Sequence, residues 1–343
     1  FFAPRPVNEF TRVASKQPNY STLVLFASFL LVVLLPLTFS SSAAEDFRPV
    51  YQCSGASVGT TFLNPLGIFF DTNREECYVA DAGNNRIVIC DAQGMPLHHF
   101  YHHVERDGRT MLGQPKRVVV DREGRIFVID ALVEYIDVLD FRGRRINRIL
   151  PPTNSGGAGG RFTTMTLTPD GTVAATLTSK PARVAFISGE LEIVKIVSLN
   201  APEEERQGIT GISVDHEGRI YVTDPFARET MVQVYDPEGT FLYGFGKHDV
   251  GLENFSLPAD ISITDNGELW IVDSVRQVAS RFTRSGEYIA TIGGLGHGPG
   301  AFYFPSGITT DGGSRVFVIE RGGNRYQCFR SVENENSQAV TSR

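Results

Sequence analysis

No two cysteines in this chain are spaced Cys-x-x-Cys, and no Cys-x-x-Cys-His occurs. Covalent haem attachment and zinc ribbons are thereby excluded. No Walker-type phosphate loop is present, and no cofactor fingerprint stands out, so no cofactor is expected. Positive charge is not in excess. The 32 Lys and Arg are outnumbered by 39 Asp and Glu, a net charge of −7, which argues against a nucleic-acid partner held by phosphate neutralisation. Low-complexity disorder is also missing, because the 34 glycines and 18 prolines are spread along the chain. Distributed in that way they read as turn residues between many short elements, the pattern of an all-β protein.

The first 44 residues differ from the rest. Arg5, Arg12 and Lys16 precede an uncharged apolar run, Leu23 to Phe39, which is followed by Ser40-Ser41-Ser42-Ala43-Ala44. A cleavable signal peptide would have this basic start, apolar centre and small-residue end. An uncleaved anchor helix would explain the long preceding tail and a run of about 17 residues, the short limit for crossing a bilayer. Both readings stay open, and both place the basic flank inside and the remainder outside. The expected organisation is therefore a tail and signal-anchor or signal peptide over 1–44, a folded domain over 45–332, and a polar C-terminal tail over 333–343.

Within the folded domain an apolar strand repeatedly ends at an acidic or polar residue and a Gly-containing turn, and a second apolar strand returns. Leu66–Asp71 leads to Cys77–Asp81, and Arg117–Asp121 to Ile126–Asp130. Gly211–Asp215 leads to Ile220–Asp224, Asp260–Asp265 to Leu269–Asp273, and Gly307–Asp311 to Val316–Glu320. A worn copy, Met165–Gly171 with Val173–Thr178, lies between the second and third of these. Third and fourth strands follow, as in Val232–Asp236 and Phe241–Phe245. Six units of roughly 45–50 residues fit a six-bladed β-propeller of four-stranded antiparallel blades. The last unit ends after its third strand, whereas Val50–Gly55 stands alone before the first. Strand 50–55 is thus expected to pair with 325–330 and close the ring.

Tyr78-Val79-Ala80-Asp81-Ala82-Gly83-Asn84-Asn85-Arg86-Ile87 resembles the hallmark of the NHL repeat family, as do Pro65–Ile68 and Asp236–Gly246. The resemblance covers about residues 50–330. It is blurred in the second unit, which has Ala131-Leu132-Val133-Glu134-Tyr135 instead of the Asn-x-Arg element, and in the third, where Thr178-Ser179 replaces the terminal acid. It implies a six-bladed propeller that docks protein or RNA through the face bearing the loops between second and third strands. Lys180, Arg183, Arg228, Arg276 and Arg321 fall on those loops. Arginine can hold carboxylates with two parallel hydrogen bonds, so these five are the candidate partner-binding residues, with scattered solubilising charge as the alternative.

The cysteines allow two bridges. Pairing Asp81 with Arg86 sets Cys77 opposite Cys90, and Cys53 and Cys328 fall on the closing strand and its neighbour. Directly opposed residues lie within disulfide range. Small buried core thiols are the competing expectation. His98, His99, His102 and His103 are read as part of a solvated outer strand. On a strand the pairs four residues apart sit roughly 13 Å from each other, too far for one zinc. The strand-end acids Asp81, Asp130, Asp224, Asp273 and Glu320 are expected to cap their own turns rather than to ring a cation. No catalytic residue and no metal ligand is identified. The sequence therefore points to a non-catalytic interaction propeller on the outer face of a membrane, part of a larger membrane complex with a protein partner. The alternative is a metal-dependent propeller enzyme of the lactonase or lyase type, working in the central channel.

Overall fold

The computed structural model describes residues 47–153, 160–201 and 208–332, all of which belong to one unit, Ser41–Arg343. The apolar run 23–39 and the tail 333–343 lie outside the described residues. No described helix is long and apolar enough to cross a membrane.

Six four-stranded antiparallel sheets make up the domain. The first strand of the chain is β1 (Phe47–Cys53). Blade 1 contains β2 (Gly67–Asp71), β3 (Glu76–Asp81), β4 (Arg86–Asp91) and β5 (Pro96–Tyr101). A two-stranded hairpin, β6 (His103–Arg106) and β7 (Arg109–Leu112), is inserted before blade 2. Blade 2 contains β8 (Pro115–Val120), β9 (Ile126–Asp130), β10 (Ile136–Leu139) and β11 (Arg145–Ile149). Blade 3 contains β12 (Phe162–Leu167), β13 (Val173–Leu177), β14 (Arg183–Ile187) and β15 (Ile193–Ser198). Blade 4 contains β16 (Gly211–Val214), β17 (Ile220–Thr223), β18 (Val232–Tyr235) and β19 (Phe241–Phe245). Blade 5 contains β20 (Pro258–Ile263), β21 (Leu269–Asp273), β22 (Val278–Phe282) and β23 (Tyr288–Gly293). Blade 6 contains β24 (Pro305–Thr310), β25 (Arg315–Glu320) and β26 (Arg325–Ser331), with β1 as its fourth strand.

Each first strand touches the first strands of both neighbouring blades, so β2, β8, β12, β16, β20 and β24 form a closed inner ring. The second strands are apolar on both faces because a blade lies against each of them: β9 and β21 are buried along their whole length. Outer strands are mostly exposed or half-buried instead, as in β5 and β15, where only Phe100 and Val197 are buried. The hairpin turns follow from Asp chemistry. Asp121 Oδ1 accepts the Arg125 N–H at 2.8 Å, and Asp215 Oδ1 accepts those of Glu217 and Arg219, both at 2.9 Å. Arginines from these turns then reach the next blade: Arg74 donates to the Arg122 carbonyl at 3.1 Å, and Arg122 to that of Pro169 at 2.7 Å.

At the seam β1 runs antiparallel to β26. A bulge between Pro49 and Tyr51 sets Tyr51 opposite Cys328 and Cys53 opposite Tyr326. That register corrects the expected Cys53–Cys328 bridge, since the two cysteines are not directly opposed. Cys77 and Cys90 are opposed in the β3–β4 ladder, yet they too are unbonded: all four cysteines are free, buried thiols. The sulfur that meets Cys90 is that of Cys53, 3.8 Å away.

Candidate functional site

In an antiparallel blade the loops joining second to third strands and those joining one blade to the next lie on the same face. The acids at the ends of the second strands organise it. Asp81, Asp130, Asp224, Asp273 and Glu320 are all buried. Asp81 accepts the Leu63 N–H at 2.8 Å, Asp224 that of Gly208 at 3.0 Å, Asp273 that of Ser256 at 2.6 Å, and Glu320 that of Tyr303 at 2.9 Å. Each of these acids thus staples the loop entering its blade. Their remaining lone pairs go to their own turns, as with Phe226 N–H on Asp224 and Val275 N–H on Asp273. In blade 3 the Thr178 hydroxyl does the same work, accepting the Arg161 N–H at 2.8 Å. The Asn-x-Arg element completes the clasp: Arg86 meets Asp81 and Arg325 meets Glu320, each at 2.7 Å. Asn85, Gln277 and Asn324, one step earlier, adopt φ of 57°, 61° and 52°. That left-handed conformation suits Asn more readily than most side chains.

Blade 2 departs from this scheme. Asp130 accepts the Leu132 N–H, and its other oxygen lies 2.9 Å from His102 Nδ1, while His102 Nε2 lies 3.2 Å from Asp137. His102 is buried, which corrects the reading of the whole His98–His103 stretch as solvated; His98 and His103 are exposed. Burial pulls the His102 pKa down, but the hydrogen bonds the ring donates to Asp130 and Asp137, with the charges of those carboxylates, outweigh it and hold the imidazole above its ordinary value. The two carboxylate contacts of His102 anchor the start of the β6–β7 hairpin, which also binds blade 2 through Glu105 to Arg145 (2.8 Å) and Arg148 (3.2 Å).

All five candidate cations sit where second strands turn into third. Lys180, Arg228 and Arg321 are exposed. Arg183 is half-buried and donates to Ser179 at 3.1 Å. Arg276 braces the blade 4–5 loop by donating to the carbonyls of Gly251 and Asn254, which makes it a structural residue. The same face carries large apolar side chains that motif-reading passes over. Val250 is 87% exposed, Leu295 74% and Phe226 65%, and Val275, Leu252 and Leu63 on other loops of this face are exposed as well. Arg321 lies over the Phe304 ring of this face, 5.9 Å from its centre. The only signal in the sequence is apolar residues set among turn formers, as in Asp249-Val250-Gly251-Leu252.

The central channel opens on the opposite face as a cavity of about 340 Å³ lined by the six first strands and their turns. At its inner end the same repeat position holds Gly67, Arg117, Thr164, Gly211, Asp260 and Gly307. Neighbouring first strands pack closely there: a Cβ on Gly67 would lie 2.7 Å from the Lys116 carbonyl, and one on Gly211 2.7 Å from the Asp260 Cα. The space left by the glycines takes Arg117. Its guanidinium donates to the carbonyls of Leu66 (2.9 Å), Thr210 (3.0 Å) and Ala259 (3.3 Å) and to the Thr164 hydroxyl (3.3 Å). One side chain therefore ties four other blades together and plugs the neck. Asp260 is buried nearby. Burial raises its pKa, and the Arg117 charge and the N–H groups of Ile308 and Ile261 partly offset this.

Among the described residues, no three His, Cys, Asp or Glu side chains converge as a metal site requires. Gly55-Ala56-Ser57-Val58-Gly59 has the spacing of a nucleophile elbow. It lies on a short 3-10 turn after β1, not between a strand and an α-helix, which is the context such a serine needs.

No family model matches the chain. Among curated proteins it is similar to NHL repeat-containing protein 3 of Mus musculus, 34% identical over 89 residues, or 24% of this chain and 26% of that protein. The human protein of the same name is 29% identical over 133 residues, 36% of this chain and 38% of that protein. The chain is a six-bladed β-propeller, and its partial matches to these two proteins are consistent with an NHL-repeat propeller. Its matches span between about a quarter and two-fifths of those relatives' length. Solved structures share the propeller's fold at low identity. A streptogramin B lyase structure has a TM-score of 0.58 at 16% identity, covering 84% of this chain and all of that one. Virginiamycin B lyase from Staphylococcus aureus has a TM-score of 0.57 at 11%, with the same coverage. A gluconolactonase from Xanthomonas campestris has a TM-score of 0.56 at 13%, covering 84% and 96%. At such identities the likeness carries the fold alone.

Proposed function

We propose that this NHL propeller is a non-catalytic docking module that binds an exported protein or membrane-complex subunit through its second-to-third-strand face. The observation behind this reading is the set of exposed apolar side chains there, led by Phe226, Val250 and Leu295. Soluble monomers seldom expose large apolar clusters without using them. The exposed cations Lys180, Arg228 and Arg321 stand on the same face and suit carboxylates on a partner's rim. The neck supports the reading as well, because Arg117 already spends its donors on backbone carbonyls and offers none to a substrate. The run 23–39 is proposed to hold the propeller at a membrane, with the disc on the extracytoplasmic side.

The test is co-purification from membranes solubilised in mild detergent. Phe226→Asp combined with Leu295→Asp should abolish recovery of the partner while the melting temperature stays within about 2 °C. Met95→Asp with Phe141→Asp, on the opposite face, should change nothing. Loss of the partner only in the second pair would refute the assignment of the face. If the unaltered protein runs as a free monomer and opens a lactone with an added divalent cation, the channel-enzyme reading replaces this one.

A further inference from the structure

The seam between blades 6 and 1 gathers all four cysteines into one apolar cluster, Cys53 on β1, Cys77 on β3, Cys90 on β4 and Cys328 on β26. β1 belongs to the sheet of blade 6 and β4 to that of blade 1, so no backbone ladder joins them. Their contact includes the two buried sulfurs of Cys53 and Cys90, 3.8 Å apart and 37 residues apart in sequence. Cys77 and Cys328 are placed differently: Cys77 opposes Cys90 within one sheet, and Cys328 opposes Tyr51.

We propose that Cys53 and Cys90 are a disulfide-forming pair that staples the closing strand to the first blade, oxidised by exchange with a low-molecular-weight disulfide. A disulfide has its sulfurs about 2.05 Å apart. The two side chains already face each other, so small rotations about their Cα–Cβ bonds and a slight approach of the strands would suffice. Cys53 is the first nucleophile, because it rides on the closing strand and is uncovered whenever β1 is undocked from β26.

The Cys53 thiolate attacks one sulfur of the small disulfide RSSR. An S–S bond to Cys53 forms, the R–S–S–R bond breaks, and RS⁻ leaves to take up the proton Cys53 lost. Cys90, deprotonated in turn, attacks Cys53 Sγ and expels the second RS⁻ as its thiol. Two protein thiols lose two electrons and two protons, and RSSR becomes two RSH. Both sulfurs are buried in the closed ring, so exchange takes place while β1 docks or when it peels from β26. Once formed, the bond closes a loop across two blades and prevents that peeling. The inference is independent of the docking face proposed above.

The experiment is to refold the full chain with oxidised and reduced glutathione, alkylate it under denaturing conditions, and map its peptides without reduction. The expected map has one link, joining the Cys53 peptide to the Cys90 peptide, with Cys77 and Cys328 alkylated as free thiols. The oxidised protein should melt roughly 8 °C above the reduced one, the size expected for closing a loop of about this length. Cys90→Ala should lose that difference, melting at the same temperature under oxidising and reducing conditions. Four alkylated thiols, or a Cys77–Cys90 or Cys53–Cys328 link, would overturn the proposal. The map of the unaltered chain decides the matter even if the variant fails to fold.

Discussion

Replacing Arg117 with leucine would test whether the neck is a structural keystone. The substitution deletes donors to three carbonyls and one hydroxyl contributed by four blades. Hydrogen bonds from a charged donor contribute about 1.5–3 kcal/mol each, but those to the same group are not additive, and water entering the channel would satisfy part of what is lost. Breaking a buried charged network by removing one member typically costs about 3–5 kcal/mol, which we take as the magnitude. For a ring of this size, that corresponds to a melting temperature lower by about 8 °C.

A pH series separates the two contributions. The Asp260 pKa is raised in the fold, so its ionisation penalises stability above the folded pKa, and the penalty vanishes below the unfolded value near 3.9. Without Arg117 that pKa rises further, and the variant is penalised most at neutral pH. The gap in melting temperature between parent and Arg117→Leu should therefore narrow as pH falls from 8 to 5. Differential scanning calorimetry across that range reads it directly. An equal melting temperature at pH 7 would refute the keystone role, and a gap that does not change with pH would refute the coupling to Asp260.

Two further predictions concern the insertion and the seam. His102 has a raised pKa, so the stability its charge gives is complete below about 6.5 and is lost as pH climbs through the folded value. Hydrogen exchange of residues 103–112, corrected for intrinsic rates, should show the hairpin loosening over that upper range. Asp137→Asn should bring the NMR titration of His102 down; a ring titrating below 6.5 in the parent would contradict the assignment. Deleting 47–53 removes the edge contact of Phe47 on Trp270 and uncovers Tyr326 and Cys328, leaving β26 as an open edge. A melting temperature at least about 10 °C lower, or aggregation, is expected, and cooperative unfolding at the parent's temperature would show the closing strand to be dispensable.

Blade number, strand order and turn positions were legible in the sequence because each depends on residues close together within one copy. Asp121 and Gly124 make their turn locally, whatever the neighbouring blades do. Contacts across blades were not legible in that way. Arg117 reads as an ordinary strand residue until it is set beside Gly67, Gly211 and Gly307 at the same repeat position, where a long cation among glycines signals a crossing of the axis. His102 was misread because strand alternation was carried one residue past the end of β5, where the chain turns into the hairpin. The register at the seam was equally hidden, since it sets Cys53 opposite Tyr326 rather than Cys328, and the sulfur that Cys53 meets is that of Cys90 in the next blade.

The repeated acids sharpen the distinction between architecture and function. A residue type present at the same place in five blades must serve something the blades share, and Asp81, Asp130, Asp224, Asp273 and Glu320 supply buried acceptors for loop and turn N–H groups or, in blade 2, for an imidazole. A binding specificity cannot reside in such a feature, because it would be presented alike by every blade and point to no one direction on the disc. What distinguishes one side of this ring from another is unrepeated: the apolar tips at Phe226, Val250 and Leu295, the His102 clamp, and the cation at Arg321. If the propeller docks a partner as proposed, the contact falls on one sector of one face, where loops of blades 4, 5 and 6 carry those exposed tips and are fastened by the shared acids.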